Sequence, residues 1–89
     1  MSTITVTKPS QHALDELGVS QWPIWTCEPS RFDWHYDDKE TCYLLAGQVT
    51  VIAGEEQVSF GAGDLVVFPK DLDCVWEVKT AVRKHYKLG

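Results

Sequence analysis

The sequence predicts an all-β fold, a small jelly-roll β-barrel carrying one short N-terminal helix. Three observations lead there. From Trp22 onward the chain is a succession of short runs rich in β-branched and aromatic residues, the residue types that suit a pleated, half-buried surface. Between the runs stand turn formers, namely Pro29, Asp37-Asp38, Ala46-Gly47, Gly54-Glu55, Gly61-Ala62-Gly63 and Pro69, which supply left-handed or fixed-φ backbone. Finally, 89 residues are too few to bury two separate cores. Residues 1–89 are therefore expected to form one domain, with 1–21 as an N-terminal strand and helix and 22–89 as the barrel. Closing many short strands into a barrel or sandwich removes or protects their edges.

Each element follows from local chemistry. An alternating strand is expected near 4–7 (Ile-Thr-Val-Thr). After Pro9, the run 11–17 has good helix formers, Ser10 as its N-cap and Gly18 as its stop. Strands are then expected near 22–27, 31–36, 41–45, 48–53, 56–60, 65–68, 73–78 and 82–88. Neighbouring side chains in a strand face opposite ways, so parity assigns the faces. Phe32, Trp34 and Tyr36 share one face, expected to point inward, while Arg31, Asp33, His35 and Asp37 share the other. Cys42 and Leu44 oppose Thr41, Tyr43 and Leu45, and either set suits the interior. Later, Cys74, Trp76 and Val78 should face in, as should Lys84 and Tyr86, which share parity with Val82 and Leu88.

Charge narrows the partners. Eight Lys and Arg against thirteen Asp and Glu give a formal charge of -5, the wrong sign for neutralising phosphates or an anionic bilayer. No nucleic acid and no membrane partner is expected. No apolar run approaches the roughly 20 residues of a membrane span, and the start of the chain lacks the pattern of a secretory leader. Cys27, Cys42 and Cys74 are an odd set without CxxC spacing, which fits free thiols in a reducing compartment. A cytoplasmic protein is the expectation.

Two spaced motifs carry a family resemblance. Glu40 is followed after six residues by Gly47; Gly63 is followed after five by Pro69, with Cys74 five beyond. This resembles the two-motif signature of the cupin superfamily. The flanking segments Trp22-Pro23-Ile24-Trp25, Phe32-Asp33-Trp34, Glu40-Thr41-Cys42-Tyr43, Gly63-Asp64-Leu65-Val66 and Val82-Arg83-Lys84-His85-Tyr86 resemble short single-domain cupins of the ureidoglycine aminohydrolase-like group. The resemblance implies a barrel with a pocket, and in the family at large a metal held by two His and a Glu from the first motif and a His from the second. Here the two His positions fall on Trp34 and Tyr36, or, with a one-residue longer gap, on Asp33 and His35; the third falls on Cys74. The conventional three-His site is thus absent, and no resident cofactor is expected. A zinc or manganese ion on Asp33, His35, Glu40 and Cys74 is the alternative, but it would turn Phe32, Trp34 and Tyr36 out into water.

With the aromatics inside, the candidate site is Glu40 as the catalytic carboxylate and Trp34, Tyr36, Cys74, Trp76, Lys84 and Tyr86 as ligand-binding residues, with no metal ligands. An apolar concavity with a few fixed polar groups suits a small organic molecule, and Trp and Tyr offer flat faces to rings, sugars or cations. The same aromatics also serve simply to fill a small barrel. Glu40 among them would be desolvated, raising its pKa towards use as a general acid or base. A pair with Lys84 would instead hold it ionised. The expected function is small-molecule binding. Two alternatives stand beside it. One is a metal-dependent ureidoglycine aminohydrolase-like enzyme with Glu40 as ligand or base. The other is a non-catalytic interaction or regulatory module. A homodimer is expected, because the alternating segment 2–7 has little to bury against within one barrel.

Overall fold

The computed structural model describes residues 4–89. Its elements are β1 (Thr5–Thr7), α1 (Gln11–Leu17), a 3-10 turn (Val19–Gln21), β2 (Ile24–Cys27), β3 (Ser30–His35), β4 (Glu40–Ala53), β5 (Glu56–Gly61), β6 (Leu65–Phe68) and β7 (Asp73–Leu88). The helix is bounded as its sequence dictates. Ser10 Oγ accepts from the Ala13 N–H at 3.2 Å, and Gly18 ends the helix at φ 71°, a left-handed conformation cheap only for glycine. Leu14 of the helix and Val19 of the 3-10 turn after it are buried.

Two expected boundaries are corrected. The segments 41–45 and 48–53 are one 14-residue strand, and 73–78 and 82–88 are one 16-residue strand. Ala46-Gly47 is a bend inside β4 rather than a turn between strands. The β4–β7 register slips between Leu44 and Val49, and across that irregularity the buried positions change from Cys42 and Leu44 to Val49 and Val51. An irregular extra residue has this effect, bending the strand and flipping its faces. Gly47 stands there at φ 104°, and a Cβ at that position would lie 2.6 Å from the Ala81 carbonyl oxygen and 2.8 Å from Val82 Cα.

The bend makes two layers out of one antiparallel sheet. The first half of β4 pairs with β6 and with the end of β7, while the second half pairs with β5 and with the start of β7. β1 adds to β6, β2 to the end of β7, and β3 to its start. The hydrogen-bonded path runs β1-β6-β4-β7-β2, with β3 on β7 and β5 on β4. The jelly roll is therefore a sheet folded over on itself, with β1, β2, β3 and β5 as edges. Between the layers, one core cluster joins Cys42, Leu44, Val66, Phe68 and Val82 to Val49, Val51, Phe60, Trp76 and Val78.

The N-terminal segment corrects a further expectation. β1 pairs with β6 of its own chain, Thr5 opposite Val67 and Thr7 opposite Leu65, and Ile4 is buried in the core. Residues 4–7 thus have a place within one chain, which removes the argument for a dimer from an unpartnered arm. Residues 2 and 3 lie outside the described residues. No helix among the described residues is long and apolar enough to cross a membrane.

Candidate functional site

The two layers part at the end where β3 finishes, β4 begins and β7 finishes. There they enclose a cavity of about 340 Å³, within the usual range for small-molecule sites. Alternation brings its walls together. Phe32, Trp34 and Tyr36 come from β3 and its exit, Trp76 from β7, and Lys84 and Tyr86 from the far half of β7. Register adds one wall that parity alone missed. Trp25 of β2 stands opposite Lys84, and its ring faces the same space. Alternation alone assigns Trp25 no face, because its placement depends on the pairing of β2 with β7.

At the floor lies a buried ion pair. Lys84 Nζ donates to Glu40 Oε2 at 2.9 Å, with both side chains less than 10 % exposed. The same ammonium lies 4.5 Å from the Trp76 ring centroid and 4.8 Å from that of Trp25, so two π-faces and a carboxylate surround it. Among the described residues no group donates to the other Glu40 oxygen, Oε1, and no buried polar side-chain atom lacks a partner. Oε1 is thus an unused acceptor on a residue that lines the cavity.

Tyr36 supplies the second polar group. Its hydroxyl accepts from Trp76 Nε1–H at 3.2 Å, its ring stacks on Phe68 with centroids 4.8 Å apart, and its own O–H proton is not donated to any described residue. Burial, with the Glu40 charge adding to it, pushes the phenol far above its ordinary pKa, so it stays a donor. Above the floor, Phe32 stacks on Trp76. Trp34 stands 52 % exposed at the mouth, beside His35, Asp37 and Asp38. His35 pairs through Nδ1 with Asp73 at 2.7 Å and through Nε2 with Asp37 at 3.5 Å. The hydrogen bond with Asp73 raises its pKa, the nearby carboxylates adding to it.

Of the residues singled out from sequence, Glu40, Trp34, Tyr36, Trp76, Lys84 and Tyr86 line this cavity. Cys74 is the exception. It shares a face with Trp76 but is buried in the core cluster and is not part of the lining. Burial, with the Asp73 and Glu40 charges adding to it, pushes its thiol up to about 11. Burial pushes Cys42 up to about 12 despite nearby Lys84. Neither is a ready nucleophile, since only the thiolate attacks.

The family's metal finds no matching donor set here. Two of the expected ligand positions are the indole of Trp34 and the phenol of Tyr36, Cys74 is outside the lining, and Glu40 holds an ammonium at 2.9 Å. Among the described residues no group of three His, Cys, Asp or Glu side chains converges. A divalent cation at Glu40 would also meet the Lys84 charge at contact distance.

Comparison with known proteins places this geometry. Residues 14–86 match the EutQ-like cupin domain family. A DUF861 family protein of known structure from Thermotoga maritima is 48 % identical, with a TM-score of 0.96 over 98 % of this chain and 100 % of that one. The Clostridium difficile EutQ protein is 21 % identical, with a TM-score of 0.69 over 98 % of this chain and 68 % of that one. A putative ethanolamine utilization protein Q from Salmonella typhimurium is 22 % identical, with a TM-score of 0.69 over 96 % and 68 %. The last two share the fold. No curated protein matches this chain.

Proposed function

The chain belongs to the EutQ-like cupin domain family, and we propose that it binds a small organic molecule in the aromatic cavity, without a resident metal. The observation that carries this reading is the cavity itself, about 340 Å³ walled by Trp25, Phe32, Trp34, Trp76 and Tyr86 over a floor that carries the polar groups of Glu40, Lys84 and Tyr36. A ring of the ligand stacks between the aromatic walls, and the floor fixes its orientation through hydrogen bonds. Glu40 serves as an acceptor held in place by Lys84; its engagement in that pair favours a binding role over proton transfer.

Screening ring-bearing fragments by thermal denaturation tests this. A genuine ligand at a hundredfold its dissociation constant stabilises the fold by about 2.7 kcal/mol, and Trp34→Ala, at the exposed mouth, should abolish the shift without unfolding the protein. A library that shifts neither protein, or shifts both equally, would overturn the reading. The aminohydrolase-like alternative needs a metal on an unconventional ligand set, and bound manganese or zinc at one per chain would favour it. A homodimer in the cytoplasm is proposed as the working form. The open edges of β1, β2, β3 and β5 and the three free cysteines support it. Light scattering that gave a monomer at tens of micromolar would count against the dimer.

A further inference from the structure

We infer that the cavity selects a neutral or cationic group, such as a ring carrying a primary amine, and rejects its carboxylate counterpart. The inference rests on the small-molecule reading above and adds the charge and hydrogen-bonding class of the ligand.

Three placements carry it. The Lys84 ammonium, among the described residues the only Lys or Arg side chain lining the cavity, is already engaged on three sides, by Glu40 Oε2 at 2.9 Å and by the Trp76 and Trp25 faces at 4.5 and 4.8 Å. An incoming carboxylate would have to displace one of these to reach it. Glu40 Oε1, by contrast, is an unused acceptor on a lining residue only 5 % exposed, and a carboxylate oxygen is a strong acceptor for an N–H. The mouth carries the same sign. Asp37 and Asp38 line it together with Glu40, against Lys84 and His35, so the lining is net negative whether or not His35 is protonated. A singly charged ammonium passing the exposed face of Trp34 meets the indole quadrupole and the mouth acids at the rim and Oε1 at the floor. There the Lys84 ammonium offsets part of the attraction, less than it would for a divalent metal ion and less than the mouth acids oppose a carboxylate.

Phenethylamine, 2-phenylethanol and phenylacetate share one skeleton and differ only in the terminal group. Titrating each into protein labelled with nitrogen-15 at the four Trp indoles reads the site directly. Trp25, Trp34 and Trp76 line the cavity and Trp22 does not. The Trp76 indole N–H, bonded to the Tyr36 hydroxyl, reports on the floor. The expected result is that phenethylamine moves the three lining indoles but not Trp22, with the alcohol weaker and phenylacetate weaker than the amine by about tenfold or more. Replacing the two exposed mouth acids, Asp37→Asn with Asp38→Asn, should narrow that ratio by about threefold while the protein stays folded. Phenylacetate binding as tightly as the amine at the lining indoles would overturn the inference and leave the small-molecule reading standing. A series in which no compound moves a lining indole would overturn both.

Discussion

Replacing Glu40 by Gln keeps the side chain's size and removes its charge, so it isolates what the buried pair contributes. Both partners are 5 % exposed and their polar atoms are 2.9 Å apart. Removing one member of such a pair costs about 3–5 kcal/mol, because the other charge is left buried and uncompensated. Two features reduce that here. Lys84 keeps the faces of Trp25 and Trp76, each contributing about 1–2 kcal/mol when desolvated, and the Gln carbonyl still accepts a hydrogen bond from Nζ. The expected loss is therefore about 2–3 kcal/mol. For a domain of this length, about 4–8 °C of melting temperature goes with each kcal/mol, so Tm should fall by roughly 10–20 °C. Urea unfolding followed by Trp fluorescence measures the loss, with an unchanged denaturant slope showing that stability alone has moved. The double variant Glu40→Met with Lys84→Met fills the same space without charge and should return to within about 1 kcal/mol of the parent. A loss below about 0.5 kcal/mol in Glu40→Gln, or a double variant worse than either single one, would refute the picture of a desolvated, mutually dependent pair.

Other consequences are open to simple measurements. Gly47→Ala should cost about 3 kcal/mol in chemical denaturation, combining left-handed strain with a clash against β7 backbone. Gly54→Ala, at φ 61° with open space around it, should cost only about 1–2 kcal/mol, and equal losses would show that the bend does not need the close approach. In an NMR titration, His35 should deprotonate above the ordinary value of 6.5, held there by the hydrogen bond with Asp73. Its pairing thus stabilises the fold fully below pH 6.5, and that contribution is lost as pH rises through the folded pKa. Asp73→Asn should lower that pKa, and an unmoved imidazole would contradict the assignment. With a thiol reagent at mildly alkaline pH, Cys27 should react in the native protein while Cys42 and Cys74 wait for unfolding; prompt reaction of all three would show that the core thiols are accessible.

Much of the fold is legible because turn chemistry and alternation are local. The helix caps at Ser10 and Gly18, and the inward faces at Trp76 and Lys84, need no knowledge of the rest of the chain. The continuity of β4 and β7 does not show in the same way. Ala46-Gly47 resembles a turn, and only the approach of Ala81 and Val82 from a strand more than thirty residues away explains why glycine stands inside a strand there. The same distinction holds at the site. Alternation gives the face of a residue but not its depth, so Cys74 shares parity with Trp76 yet ends outside the lining, while Trp34 ends at the rim. Trp25 required the pairing of β2 with β7, a long-range register that sequence alternation does not encode. The Lys84–Glu40 pair is the intermediate case, since parity gives the face of Lys84 but leaves both faces of the Glu40 strand open, and the meeting of the two follows from the opposed ends of β4 and β7.

Whether Glu40 serves Lys84 and an organic ligand, or instead a metal, is decided most directly by elemental analysis of protein purified without chelators or an affinity tag. The predicted result is folded protein with transition-metal content far below one ion per chain. Near-stoichiometric zinc or manganese that disappears in Glu40→Ala and Cys74→Ala variants would contradict it, and would make a metal-dependent enzyme the leading interpretation of this cavity.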